Sequence, residues 1–417
     1  MNKMLSGTHP KLNVLNFFAG DVGNAVGPFL ATYLIATANW TETSIGWVLL
    51  AINLAAVVAQ TPAGWLIDHT RLKRLLIAVA AGAIGIAMVA IPASPDFPTV
   101  MGASILIGIA GAIIPPAIAA VTLGIVKPAG FTVQMGSNQA FNHAGTVAAA
   151  ILIGGISYLI WPGAMFPIII VLAAGAMITV LSIPERTIDH EVARGAVDVE
   201  NDPSATGTGP GAQDFRAVFS NRPLVIFMIC CGLFHLANAP MLPLAGQKLA
   251  LGHKELATLF LAGCVIVAQL VMIGVAMFVG MRADRWGRKV FLLIGFGVLP
   301  IRGLLFAVVD DPSLVLMIQV LDGVGAGVYS VIIFLVIADV TRGTGTFNLA
   351  QGVVITVQGL GAALGSLIGE DLAGLLGYAP AFITHSGIAV VAFVVLLLAM
   401  PETRPAELEP EPAPTAS

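Results

Sequence analysis

The stretch GMRADRWGRK at residues 280–289 joins two long apolar segments and carries a single aspartate, Asp284, among Arg282, Arg285, Arg288 and Lys289. Four basic side chains confined to so short a stretch mark a loop at a membrane surface, where cations contact headgroups and resist translocation. Outward from this loop in both directions, runs of about 20 apolar residues recur, in place of short alternating strands. The composition agrees: 57% of residues are hydrophobic, 10% are charged and the mean hydropathy is +0.94, against about 45–50% apolar and 25% charged in soluble domains. Backbone groups in hydrocarbon must be satisfied internally, and segments of this length do so as helices rather than as a barrel. The chain is therefore read as an all-α polytopic membrane protein.

Twelve spans are expected, at about 12–37, 42–67, 75–93, 99–126, 136–158, 163–183, 223–246, 256–281, 290–309, 313–340, 347–369 and 378–400. The first resembles a signal peptide in its flanks, but it is too long for an h-region and is interrupted by Asp21 and Asn24. Of the 19 basic residues, all but Lys248, Lys254 and Arg302 fall on one side of this topology. The positive-inside rule makes that side, and both termini, cytoplasmic. Residues 184–222 contain DVENDPSATGTGPGAQD at 198–214 and read as a flexible cytoplasmic linker between a first half at 1–183 and a second at 223–400. The tail at 401–417 is read as disordered for the same compositional reason. Cys230, Cys231 and Cys264 all lie in apolar segments, so no disulfide or metal framework is expected.

The halves repeat each other. GWLIDHTRLK at 64–73 aligns with GMRADRWGRK, Asn24-Ala25 with Asn238-Ala239, and Phe141-Asn142 with Phe347-Asn348, at shifts of 216, 214 and 206. Gly280, Asp284, Arg285, Gly287, Arg288 and Lys289 together resemble the loop motif of the major facilitator superfamily of secondary transporters. That resemblance implies twelve transmembrane helices in two pseudo-symmetric six-helix halves, with substrate bound near the midplane between them. It also implies a gating role for the loop. Gly64, Asp68 and Lys73 keep the pattern in the first half, although His69, Arg71 and Leu72 depart from it. QVLDGVGAGV at 319–328 is distantly similar to a glycine-rich motif of drug/proton antiporters, with Asp322 where an arginine would be expected.

Polar residues inside the membrane need a partner or a cavity. Gln139, Asn142 and His143 share a face of span 5; Asn348 and Gln351, followed by Gln358, repeat the arrangement in span 11. His235 and Asn238 recur at i, i+3 in span 7, as do Asp21 and Asn24 in span 1. We read these as the lining of one central cavity, the alternative for each alone being an interhelical hydrogen bond worth about 0.6–2 kcal/mol. Asp21, roughly 14 Å into span 1, is the first candidate for a proton-coupling carboxylate. Arg302 and Asp322 reach similar depths from opposite ends of spans 9 and 10 and are expected to pair.

These features predict a monomer-competent transporter of a cell (inner) membrane, moving a small organic solute by alternating access. Proton-coupled efflux is favoured through the resemblance, with proton-coupled metabolite uptake as the alternative. From another class, a non-transporting membrane sensor or scaffold would lack any soluble effector domain here. No nucleophile, base and orienting carboxylate occur together and no phosphate-binding loop precedes a helix, so an enzyme is not expected. No cofactor, metal or nucleic-acid partner is expected; the partners are the solute and the lipid bilayer, and a proton gradient is the expected driving force.

Overall fold

Helix boundaries follow the local sequence. Thr41, Asp96, Asn221 and Asp311 precede spans 2, 4, 7 and 10, and the side chain of each accepts a backbone N–H from the first turn that follows. The computed structural model describes residues 8–20, 30, 31, 33, 34, 40–161, 163–196, 212–252 and 257–405. Asp21 and Asn24 lie outside the described residues. Span 1 begins as Pro10–Ala19, and the following spans are Glu42–His69, Lys73–Ala93, the continuous segment Phe97–Leu159 and Met165–Leu181. The second half comprises Arg222–Asn238 with Met241–Gly252, then Ala257–Trp286, Arg288–Val308, Pro312–Val340, Phe347–Leu376 and Tyr378–Ala399. No strand occurs among the described residues.

Phe97–Leu159 holds spans 4 and 5. Its helical course breaks at Lys127, whose φ of 58° and ψ of 173° lie outside the helical region. Pro128 explains the position of the break, because its ring disfavours helical geometry in the residue before it while being well suited to a first turn. Span 5 consequently starts eight residues earlier than its expected 136. Among the described residues nine helices are long and apolar enough to cross a membrane, one of them this double segment, and Met165–Leu181 is a shorter apolar helix. With the partly described first span, this is consistent with twelve.

Two clusters of buried apolar side chains form the interior. One runs from Leu12 to Ala193; the other runs from Val218 to Met400 and takes in residues such as Phe131 and Met135 of span 5. Large apolar side chains such as Val58, Ile86, Val171 and Leu398 remain exposed on the outside, as acyl chains require.

Two segments expected to be flexible are packed. Ile188, Val192 and Ala193 are buried, the Asp189 N–H donates to the Gly124 carbonyl, and the Gly343 N–H donates to the Gly195 carbonyl. The polar composition of 184–222 is concentrated at 198–214, whereas its first part carries apolar side chains, Ile188, Val192 and Ala193, that anchor it. Pro401–Arg404 of the tail likewise folds back onto the loop at 284–289. Residues 197–211 and 406–417 lie outside the described residues.

Candidate functional site

At the side carrying the basic loops, the two halves meet at two related junctions. Asp68, at the end of span 2, accepts from the Asn348 backbone N–H at 3.1 Å, the Asn348 side-chain amide at 2.7 Å and the Leu349 N–H at 2.7 Å. The two backbone donors are free N–H groups of the first turn of span 11, where the helix dipole also favours an anion. Gly64, one turn earlier, lets the span 2 backbone touch the Asn348 carbonyl. At the second junction a Cβ built on Gly136 would lie 2.5 Å from the Gly280 Cα, so spans 5 and 8 cross at backbone contact. Asp284 accepts from Thr132 Oγ1 at 2.6 Å and from Arg288 Nη1 at 2.7 Å. The first-half motif, which departs more from the pattern, thus holds its aspartate more deeply: the Asp68 residue is 6% exposed, whereas the Asp284 side chain is 30% exposed.

The loop itself is braced. Arg288 is buried and donates from Nε to Asp339 Oδ2 at 2.9 Å as well as to Asp284. Gly287 adopts φ +90° and faces the Glu402 carboxylate, leaving no room for a side chain. Glu402 accepts the Arg288 and Lys289 N–H groups at 2.7 and 3.1 Å, capping span 9 from the far end of the chain. Arg404 Nη1 donates to the Asp284 and Arg285 carbonyls at the end of span 8. Partial burial alone would raise the Glu402 carboxyl, but backbone donors from Arg288, Arg404, Lys289 and Thr403 outweigh it and hold it below the usual glutamate range. In the first half Glu185 plays a related part, accepting from Arg74 Nε at 2.5 Å, while Lys73 Nζ donates to the Thr70 carbonyl at 2.8 Å. The matching Pro184-Glu185 and Pro401-Glu402, 217 residues apart, were the signal in the sequence that would have revealed this brace.

Above the junctions lies a cavity of about 660 Å³ between the halves. Gln139, Asn142, His235 and Gln358 line it, joined by Asn16, Asn53 and Gln60, which the sequence reading missed although Asn53 and Gln60 stand two helical turns apart. The other described cavity candidates sit elsewhere. Asn348 and Gln351 are buried in the first turn of span 11, bound to Asp68 and to each other, because that end of the helix is already enclosed by span 2. His143 bridges the halves, with Nδ1 2.8 Å from Gln269 Oε1 of span 8 and Nε2 3.3 Å from Ser330 Oγ of span 10. Asn238 lies instead in a small recess with Phe234, Arg302 and Asp322.

Arg302 and Asp322 form an ion pair joining spans 9 and 10. The guanidinium also lies 5.6 Å from the Phe306 ring centroid, and both residues are largely enclosed. Among the described residues no cluster of three or more histidine, cysteine or acidic side chains with metal-holding geometry occurs.

A membrane-spanning helical fold with a solute-sized cavity between two related halves defines a secondary-transporter architecture. The family model of the Major Facilitator Superfamily matches residues 12–299 and 237–417, and the chain belongs to that family, one of transporters and not enzymes. It is 39% identical over 404 residues to an uncharacterised MFS-type transporter of Mycobacterium tuberculosis, covering 97% of this chain and 96% of that one. A shorter match, 31% over 137 residues and 32% of this chain, links it to 34% of multidrug resistance protein MdtL of Salmonella newport. Among solved structures, the proton:xylose symporter XylE superposes with a TM-score of 0.73 at 14% identity, covering 94% of this chain and 95% of that one. The human organic anion transporter MFSD10 superposes with a TM-score of 0.65 at 15% identity, covering 93% and 97%. At such identities these two likenesses speak for the fold alone.

Proposed function

We propose that this protein moves a small organic solute across a cell (inner) membrane by alternating access, as a monomer with both termini in the cytoplasm, and that the favoured direction is efflux in exchange for protons. The observation that carries the reading is the pairing of a polar-lined cavity with halves sealed together on the basic-loop side. Such a seal over a central cavity is one of the two states that alternating access requires. The charge bias of the loops supports the orientation, and the stretch shared with MdtL supports efflux.

Coupling is assigned to Asp322, with Arg302 as the partner that protonation would release, and to Asp21, which follows the cavity-lining Gly20. Asp68 and Asp284 act as the latches of the sealed side, with Gly64, Lys73, Gly280, Arg285, Gly287, Arg288 and Lys289 shaping their loops.

A deletion strain compared with its parent on toxic compounds and on single carbon sources tests the direction. Hypersensitivity to a compound, reversed by the gene, supports efflux. A nutritional defect would replace efflux by uptake. Proteoliposomes that move the solute identified in that screen equally well with and without an imposed pH gradient would sink the proton coupling.

A further inference from the structure

Resting on the reading of the central cavity as the solute site, we infer that its ligand is an uncharged organic molecule that bears several hydroxyl or amide groups on an apolar frame. Two properties of the wall lead there, its charge and its hydrogen-bonding capacity.

No described residue lining the cavity is an aspartate, glutamate, lysine or arginine. The charged groups nearby are committed elsewhere. Asp68 is held by the first turn of span 11, Asp284, Arg288 and Asp339 hold one another at the second junction, and Arg302 and Asp322 pair in their own recess. An ion brought out of water into such a site would lose its hydration with no fixed counter-charge among the described lining residues to replace it, a cost of several kcal/mol.

The wall is nonetheless far from inert. Asn16, Asn53, Gln60, Gln139, Asn142 and Gln358 bring carboxamides from spans 1, 2, 5 and 11. Each carboxamide offers two donors and an acceptor. Asn16 and Asn53 donate to their own helices, to Leu12 and Leu49 carbonyls at 2.8 Å, which leaves their oxygens available. Gln60 Oε1 is buried without a partner. Among the described residues Gln139 and Asn142, both lining the cavity, make no side-chain hydrogen bond. Donors and acceptors therefore wait mainly on the first half, while Gln358 of the second half donates its Nε2 to Tyr329 Oη and keeps its oxygen for a ligand; the groups that satisfy donors and acceptors at once are hydroxyls and amides. Ile52, Ile114, Met135 and Phe334 supply the apolar part of the wall. The volume suits a body the size of a nucleoside or an aryl glycoside and is far larger than an inorganic ion needs.

Thermal unfolding of the full-length protein in lipid nanodiscs provides the test, with uridine and salicin as uncharged probes, tetraphenylphosphonium as the cation and benzoate as the anion. The expected result is saturable stabilisation by an uncharged probe, at least tenfold weaker in Gln139→Ala and Asn142→Ala. Those two truncations remove side chains without orphaning a protein partner, and size-exclusion profiles matching the parent establish that the variants fold. Stabilisation by tetraphenylphosphonium or benzoate that the same variants weaken would overturn the uncharged class while leaving transport intact. If Asp21→Asn abolishes a cation effect, that carboxylate belongs to the site and the class is likewise overturned. No shift with any probe would also overturn it. The growth comparison under the proposed function is independent of these probes, so failure of the ligand class and failure of the transport reading are told apart.

Discussion

Arg302 and Asp322 are 20 positions apart on adjacent helices, and their ion pair is largely enclosed, with side chains 2% and 16% exposed. Removing one partner leaves an uncompensated charge among apolar side chains, at a cost on the order of 3–5 kcal/mol. Asp322→Ala and Arg302→Ala are each expected to lower thermal stability in detergent or to abolish transport, and the double variant to fall short of their sum. Strictly additive losses in that cycle would show two residues acting separately. If Asp322 carries the coupling proton, Asp322→Asn with a folded, ligand-binding protein should also flatten the dependence of transport on a pH gradient. Asn16, Asn53 and Gln60 show another residue-scale lesson. Each lies in an apolar helix where an isolated amide reads as interhelical glue, and only the neighbouring helices reveal that it faces a cavity.

Spans 5 and 8 cross at Gly136 and Gly280 with no side chain between their backbones. Gly136→Val is expected to wedge them apart, and a single cysteine at Gln139, on a background without the native cysteines, should then react faster with a hydrophilic thiol reagent added from the basic-loop side. Unchanged labelling would mean that this crossing does not seal the cavity. The cap on span 9 makes a prediction about pH. Because the folded Glu402 carboxyl titrates below its ordinary value of 4.5, its stabilising effect is fully present above about that pH and is lost as pH falls through the lower, folded value. The parent protein should lose thermal stability between pH 5 and more acidic buffers faster than Glu402→Gln does. Parallel curves would remove Glu402 as a contributor. At neutral pH, Glu402→Ala should cost about 1 kcal/mol, as loss of a helix cap does.

For the molecule as a whole, the junctions at Asp68 and Asp284 are related by the internal repeat and close the same side together. Alternating access requires both to open. Thr61 of span 2 and Thr356 of span 11 approach to 3.0 Å between their hydroxyls across the halves, so a Thr61→Cys, Thr356→Cys pair is positioned to cross-link on oxidation. Without the native cysteines, the oxidised variant should stop transporting and recover on reduction. Undiminished transport with the cross-link formed, as judged by a gel-shift assay of free thiols, would show that spans 2 and 11 need not separate there.

The amino-acid sequence by itself determined the membrane setting, the helical class, the repeat and the loop signature. Each of these rests on composition, on spacing within one short segment or on the match between two such segments, all of which can be read from the chain without knowing its contacts. The depths of Arg302 and Asp322 belonged to the same kind of information, since helix rise converts residue number into distance. Tertiary structure decided which polar faces converge. Gln139, Asn142, His235 and Gln358 face the cavity, whereas Asn348 and Gln351, with the same periodicity, are enclosed by span 2, and His143 turns to spans 8 and 10. Periodicity assigns a residue to a face; the rotation and tilt of neighbouring helices assign that face to water, lipid or protein. The brace formed by Glu402 and the anchoring of Ile188 and Val192 were hidden for a related reason. Their partners lie more than a hundred residues away for Glu402, and in another helix pair for the linker, so an average over local composition could not register them.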